Sequence, residues 1–217
     1  MGARLTSDER REHLLQVGME VLGRRGTAEV SIEEIARAAG VSNGLLYHYF
    51  PTKSDFLLAV LKRSQQELDT RLARDRELSA LAQFERNLDN LLRFVDEHAA
   101  GYLAAVEARG VEPRVQALVD ERRRRRLEEL VALAGALHGR PRDEIRTPLL
   151  TTAIEGWLAL SQAVIVRWLR DRALERDAVH ALLRRALLDT FDAVLAREAA
   201  EAGLPAPGER SQPVSAS

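Results

Sequence analysis

Cysteine is absent from the 217 residues, which excludes disulfides, thiolate metal sites and a cysteine nucleophile. The five histidines are scattered along the chain without the spacing of metal ligands, so we expect no metal site. A GxSxG elbow, an HExxH pair and a glycine-rich phosphate loop are also missing. We therefore expect neither an enzyme nor a cofactor, and a helical enzyme is kept only as a rival interpretation.

Long apolar runs are scarce too. The N-terminal segment has no apolar stretch of the kind found in signal peptides. The best candidate for a membrane span, residues 153–169, is interrupted by Glu155, Gln162 and Arg167. These observations predict a cytoplasmic protein without a membrane segment.

The chain also has no excess of positive charge, because its formal net charge is −1. A DNA-binding protein needs a positive surface only where it docks, so this value does not exclude nucleic acid as a partner. Residues 1–55 carry seven basic and eight acidic side chains. Binding to DNA would therefore depend on a few placed contacts and on two subunits rather than on a basic surface.

What the chain does have is helix-forming sequence. Hydrophobic residues make up 46%, enough for a sizeable core, and alternating strand patterns are nearly absent, so the predicted class is all-α. We expect an N-terminal three-helix helix-turn-helix domain over 1–52, a helical effector-binding and dimerisation bundle over 53–200, and a disordered tail over 201–217. Outside the helix-turn-helix, the apolar spacing predicts helices over about 7–25 (ended by Gly26), 81–98, 99–109, 114–137, 147–170 and 177–199.

Two short capped helices stand out near the N-terminus. Ser31, with Glu34 three residues later, has the pattern of a capping box at the start of one helix. Gly40 permits the positive φ of a tight turn, and Ser42 caps a further helix that extends to Tyr49. A helix, a tight turn and a second capped helix fit a helix-turn-helix.

The second helix of this motif carries the residues that we expect to read DNA. Its N-terminus can enter the major groove and present Asn43 and Gly44 to base edges. Asparagine suits adenine, to which it can bond through N6 and N7, and glycine permits a close approach. Lys53 opens a fourth helix, capped by Thr52 or Ser54, and adds a charge for a phosphate. The predicted DNA-binding residues are Ser31, Ser42, Asn43, Gly44, Leu45, Tyr47, His48, Tyr49 and Lys53.

The segment GVSNGLLYHYFPTKSDFLLAV closely resembles the signature of the tetracycline-repressor (TetR/AcrR) family of transcriptional regulators. The residues that match in type and spacing are Gly40, Val41, Ser42, Tyr47, Tyr49, Phe50 and Lys53, with Ile35 and Ala36 in the supporting helix. The resemblance implies a homodimer that represses transcription by binding double-stranded operator DNA. It also implies relief by a small molecule bound in the C-terminal body. A twofold dimer in turn predicts a palindromic operator.

A candidate effector site lies in the C-terminal body. The arginine run 122–126 covers more than one helical turn, so at least one of its side chains should point inward. Such an arginine pairs with a carboxylate such as Glu107 or Asp96, extends its charged end to the surface, clamps an anionic ligand, or belongs to a second nucleic-acid patch. Aromatic residues can wall the cavity, although aromatics at helical spacing are usually core. The candidate effector residues are Phe84, Phe94, Tyr102, Arg122, Arg126 and Trp157.

The last two predicted helices carry apolar stripes wider than one core contact requires. Two such helices from each of two subunits can form a four-helix interface, which is the arrangement that the family resemblance implies. Ile165 and Leu187 are expected to lie in this interface. One alternative is a monomeric bundle that uses both faces internally, and another is a helical adaptor that does not bind DNA.

Overall fold

The computed structural model of the chain describes residues 6–25, 30–108 and 113–201. Within these ranges every regular element is an α-helix and no strand occurs, so the predicted all-α class is confirmed. The helices are α1 (Ser7–Arg25), α2 (Ile32–Ala38), α3 (Asn43–Tyr49), α4 (Lys53–Arg71), α5 (Ala80–Glu97), α6 (Ala99–Ala108), α7 (Pro113–His138), α8 (Arg142–Ile145), α9 (Pro148–Asp171) and α10 (Arg176–Glu201).

The long helices begin and end within two residues of the predicted positions. The short helix α8 was not expected, because four residues are too few to show a helical period. The predicted stop at Gly26 lies outside the described residues, and so does the predicted tail apart from Glu201, which is the last residue of α10.

Hydrogen bonds at the helix ends explain these boundaries. Ser31 Oγ accepts from the Glu34 amide at 3.2 Å, and the Ser31 amide donates to Glu34 Oε2 at 2.9 Å. This reciprocal pair is the predicted capping box. Thr52 rather than Ser54 caps α4, and Thr147 caps α9 in the same way.

The chain divides into two compact units, and each is described by itself. The first contains Met1–Ala73 and Asn90–Glu121, and the second contains Arg74–Asp89 and Arg122–Ser217. Helices α5 and α7 thus contribute residues to both units. The boundary expected at residues 52 and 53 stays a prediction.

The first unit has a core in which α1 to α4 meet. Leu14, Ile35 and Phe56 are completely buried there. Helix α1 comes very close to α4 at Gly18: a Cβ atom at this position would lie 2.5 Å from Cζ of Phe56 and 2.9 Å from Cγ2 of Val60. Glycine is therefore required here by close packing rather than by backbone conformation.

In the second unit α9 packs along α10. Trp157 Nε1 donates to the Leu183 carbonyl at 3.0 Å, and Trp168 Nε1 donates to the Leu174 carbonyl at 2.9 Å. These bonds satisfy the polar atoms of two large, buried side chains. The residues that the two helices bury are Leu150, Ile154, Trp157, Ile165, Trp168 and Leu169 from α9, and Val179, Leu183, Leu187, Phe191 and Leu195 from α10.

Helix α9 differs from the sequence expectation in one respect. By length and composition it is the one helix in the described part of the chain that could cross a membrane, despite its interrupting polar residues. A core helix of a soluble protein passes the same test, but only 22% of the apolar window of α9 is buried. A large part of this apolar surface thus remains uncovered by the residues that the structure describes.

Gly18→Ala should destabilise the protein. The added methyl group must displace the Phe56 ring, and such overpacking costs about 1–3 kcal/mol, which exceeds the gain of up to about 1 kcal/mol in helix propensity. Gly44→Ala is the matched control, because the atom nearest to its added Cβ is 4.0 Å away. Urea unfolding of both variants measures the difference, and equal stability would contradict the close approach of α1 and α4.

Candidate nucleic-acid interface

The turn between α2 and α3 is built as the sequence predicts. Gly40 has φ of 68°, a left-handed conformation that favours glycine. The Val41 amide donates to the Ala36 carbonyl at 2.9 Å. Ile35 and Leu46 are both fully buried in the same cluster, so α3 is fixed on α2 by apolar packing.

This packing leaves the other side of α3 exposed. Tyr47 has 42% of its surface accessible, which is high for a large aromatic residue. Ser42, Asn43, Gly44 and His48 are exposed as well, in agreement with a surface available to a partner. Five of the predicted DNA-binding residues therefore lie together on one short segment.

Tyr49 and Leu45 are placed differently from these five. Tyr49 is half-buried against the core of the first unit, and its ring lies edge-on to His48 with centroids 5.3 Å apart. Ser7 Oγ, at the start of α1, lies 3.3 Å from the Tyr49 hydroxyl. Leu45 is half-buried too. Tyr49 thus joins the end of α3 to the start of α1.

Ser31 and Ser42 use their side-chain oxygens as helix caps. Each oxygen accepts an amide hydrogen bond at 3.2 Å, so the hydroxyl hydrogen of each residue still points elsewhere and can donate to a phosphate. The two predicted roles, cap and DNA contact, are therefore compatible in the same side chain.

Lys53 opens α4 as expected, but it also makes a contact that the sequence did not indicate. Its Nζ donates to the Val30 carbonyl at 2.9 Å, which ties the start of α4 to the residue before the α2 cap. An ammonium group has three donors, so one bond to a carbonyl does not exhaust it. The predicted contact of Lys53 with a phosphate remains a prediction.

The first turn of α4 contains an ion pair that sequence reasoning missed. Nη1 and Nη2 of Arg114 donate to Oδ1 of Asp55 at 2.9 and 3.0 Å, and Nη2 also lies 3.3 Å from Ser54 Oγ. Thr52 Oγ1 donates to the other carboxylate oxygen at 2.7 Å. Asp55 and Arg114 are 59 positions apart in the chain, so no local pattern relates them.

These hydrogen bonds affect the acidity of Asp55. The bond from the Thr52 hydroxyl, followed by that from the Arg114 guanidinium, holds the pKa of the Asp55 carboxyl below its ordinary value. Asp55 is consequently a carboxylate at any physiological pH. The first turn of α4 therefore carries one cation, Lys53, and one anion, Asp55, and Arg114 of α7 pairs with the anion.

The candidate effector residues are divided between the two units. Phe84 and Trp157 lie in the second unit with ring centroids 6.2 Å apart, and Arg126 there donates to Glu129 at 2.5 Å. Arg122 is half-buried in the same unit. Phe94 and Tyr102 belong to the first unit, where Phe94 packs on His98 with centroids 4.6 Å apart. No single unit contains all six residues.

Comparison with known proteins decides the family. A family model described as "Bacterial regulatory proteins, tetR family" matches residues 14–60, which include the helix-turn-helix. A second, described as "Tetracyclin repressor-like, C-terminal domain", matches residues 81–190, about half of the chain. The chain belongs to the TetR family. Regulators of the TetR family bind DNA and small-molecule ligands and are dimeric.

Individual TetR-family relatives agree with this assignment. AcrR of Shigella flexneri, an HTH-type transcriptional regulator, is 28% identical over 125 residues, which are 58% of this chain and 49% of AcrR. BetI of Rhizobium meliloti (strain 1021) is 43% identical over 53 residues, 24% of this chain and 26% of BetI. The chain thus spans about half of the one relative and a quarter of the other. Both are transcriptional regulators and not enzymes, which confirms the predicted class.

Solved structures extend the likeness to most of the chain. A tetR-family transcriptional regulator from Streptomyces coelicolor is 30% identical, with a TM-score of 0.74 over 91% of this chain and 85% of that chain. A TetR-like regulator from Rhodococcus sp. RHA1 is 25% identical, with a TM-score of 0.64 over 85% of this chain and 97% of that chain. The C-terminal body is therefore also that of a TetR-family regulator.

Removing either donor, by Thr52→Ala or by Arg114→Ala, should raise the pKa of Asp55 towards its ordinary value. An acid with a lowered pKa in the folded chain stabilises the fold above its ordinary pKa, and this contribution disappears as the pH falls through the lowered pKa. Carboxyl carbon NMR titration of the wild type and both variants measures the shift. An Asp55 pKa that neither change moves would contradict the described contacts.

Proposed function

We propose that this TetR-family regulator binds a palindromic operator as a dimer, represses transcription, and is released by a small-molecule effector. The observation that carries the proposal is the pair of faces on α3. Leu46 is fully buried on one side, while Asn43, Tyr47 and His48 are exposed on the other. A short helix held in this way by its buried side chain is what reading of a major groove requires. Binding to chromosomal DNA agrees with the cytoplasmic location expected from the sequence.

Asn43 is the proposed base reader. It is exposed at the first position of α3, the end that a recognition helix directs at base edges. Its amide can bond to both N6 and N7 of adenine. Gly44 beside it is exposed and has no side chain, which supports a close approach to the bases.

We propose that the protein represses transcription rather than activating it. One relative matched over 67 residues, FasR of Mycolicibacterium smegmatis, is 45% identical and is named a transcriptional activator. The match covers only 31% of each chain, so it does not decide whether this chain activates or represses transcription. Transcription in vitro from a promoter that carries the selected site, with and without the protein, separates repression from activation.

Asn43→Ala should flatten the base preference at one position in each half-site. The loss of a bidentate contact corresponds to roughly 1–3 kcal/mol of discrimination. Selection of binding sites from random DNA, followed by sequencing, measures the preference for the wild type and the variant. The wild type should select an imperfect palindrome whose half-sites are about one turn, ~34–36 Å, apart.

His48→Ala is the competing variant in this selection, because His48 is exposed about one helical turn after Asn43. An unchanged motif for Asn43→Ala together with a changed motif for His48→Ala would transfer base reading to His48. If neither variant changes the motif, sequence is read through DNA shape. A wild-type protein that enriches no motif would refute the proposed function.

Dimerisation through α9 and α10 is supported by apolar surface that the chain does not cover itself. The exposed positions Gly156, Leu160 and Ala163 follow one another at helical spacing on α9. Leu160 and Leu182 have 45% and 48% of their surfaces accessible. A second copy of the two helices would bury this surface in a four-helix arrangement.

The structure corrects which side chains can belong to such an interface. Ile165 and Leu187 were expected there, but they are 3% and 0% exposed within one chain. Both side chains are already buried within a single chain. A charge at either position would damage the fold itself and would not report on dimerisation.

Leu160→Glu should convert the dimer to monomer at micromolar concentration. The change removes a leucine that the proposed dimer would bury and introduces a charge in each subunit, at a cost of at least about 2 kcal/mol. Sedimentation velocity measures the assembly state, and circular dichroism checks that the helices persist. Leu174→Glu is the matched control, since Leu174 is 52% exposed in the loop between α9 and α10. A variant that remains as dimeric as this control would exclude α9 from the interface.

The effector residues remain a proposal. Trp157 is buried and Phe84 half-buried in the second unit, a combination that suits an apolar ligand. Arg126 already pairs with Glu129, which supports carboxylate pairing over ligand clamping for that residue, although with a different partner from those expected. Phe94 and Tyr102 lie in the first unit, and their role in binding an effector stays a prediction.

A further inference from the structure

Asp55 is a negative charge in an unfavourable place for a DNA-binding surface. It lies on the first turn of α4, two residues after Lys53. A carboxylate suits the N-terminus of a helix, and Asp55 also accepts from its cap residue Thr52. The same carboxylate repels a phosphate that approaches Lys53. Folding and DNA binding thus make opposite demands on this position.

Arg114 forms an ion pair with Asp55, so the carboxylate can stay at the start of α4 while its charge is neutralised. Arg114 is the second residue of α7, within the segment that matches the C-terminal domain of the family and outside the helix-turn-helix match. Its guanidinium donates twice to Asp55 and contacts Ser54. The pair lies at the surface, with side-chain exposures of 49% for Arg114 and 32% for Asp55. An exposed pair adds little to stability, but a nearby phosphate experiences its net charge.

We propose that Arg114 is a positioning residue for DNA binding, which neutralises and holds Asp55 so that the first turn of α4 presents a net positive charge to a phosphate. The proposal rests on the proposed function, because it takes α4 to face DNA beside α3. It assigns part of the DNA affinity to a residue outside the helix-turn-helix match, in the segment that matches the C-terminal domain of the family. Because phosphates carry no sequence information, the effect applies to every DNA sequence.

Three variants separate this role from a purely structural one. Arg114→Ala leaves the Asp55 charge unopposed, and Asp55→Asn leaves the Arg114 charge unopposed. The double variant restores the net charge of the wild type without restoring the ion pair, because the asparagine can still accept from Thr52. Arg197→Ala is the control for loss of one charge, since Arg197 forms an exposed pair with Glu201 within α10.

Fluorescence anisotropy measures binding of each protein to two duplexes of equal length, one with the site selected by the wild type and one of random sequence, over a range of salt concentrations. Arg114→Ala should bind both duplexes about tenfold more weakly, and its salt dependence should be shallower by about one counterion per subunit. The double variant should return to within about twofold of the wild type, and Asp55→Asn should bind at least as tightly as the wild type. Melting temperatures should stay within about 2–4 °C of each other.

Two results would overturn the proposal. If Arg114→Ala binds both duplexes like Arg197→Ala, the ion pair has no part in DNA binding. If the double variant is as weak as Arg114→Ala, Arg114 acts through a contact of its own and not through Asp55. Failure of the proposed function appears differently, as a wild-type protein that binds the two duplexes equally. In that case the random duplex alone still gives the order of the variants, and a wild type that binds neither duplex refutes both proposals.

Discussion

The exposed face of α3 depends on the packing of Leu46 in the core of the first unit. Helix α3 has seven residues, and a helix of this length does not form by itself in water because nucleation is costly. Leu46 and Ile35 lie fully buried in one cluster, and the Gly40 turn allows α2 and α3 to share it. The serine cap adds a backbone bond at the start of α3. The exposed side chains of α3 have fixed positions only because its other side is anchored.

The near-neutral charge of the chain makes the position of each charge more important than their number. Groups at the candidate interface do two tasks: Ser42 caps α3 while its hydroxyl hydrogen points elsewhere, and Lys53 ties α4 to Val30 with one of three donors. Asp55 stabilises the start of α4 and is neutralised by Arg114. Because the same groups stabilise the fold and face the solvent, a small basic surplus can be concentrated where a phosphate would lie.

The sequence predicted those features that depend on neighbours along the chain. The capping box at Ser31, the left-handed Gly40 and the helix bounds follow from local chemistry, and all were confirmed. Contacts between distant residues could not be predicted in this way. The pairs Arg114–Asp55 and Ser7–Tyr49 join positions 59 and 42 residues apart, and no periodic signal relates them. The Ile165 and Leu187 error has the same origin, since an apolar stripe shows that a residue will be buried but not by which neighbour.

The exposed apolar face of α9 is a second case in which the sequence pattern does not name the neighbour. Its charged residues nevertheless restrict what can cover it. Composition alone allows a lipid bilayer, the rest of the chain or a second copy. The chain leaves Leu160 exposed, so it does not cover the face itself. Lipid is disfavoured because Glu155 and Arg167, both exposed on α9, would place charges in hydrocarbon about 18 Å apart along the axis. In an interface between copies such charges can lie at a solvated rim, while Gly156 and Ala163 let two helices approach closely. The proposed second copy would thus satisfy both the apolar and the charged residues of α9.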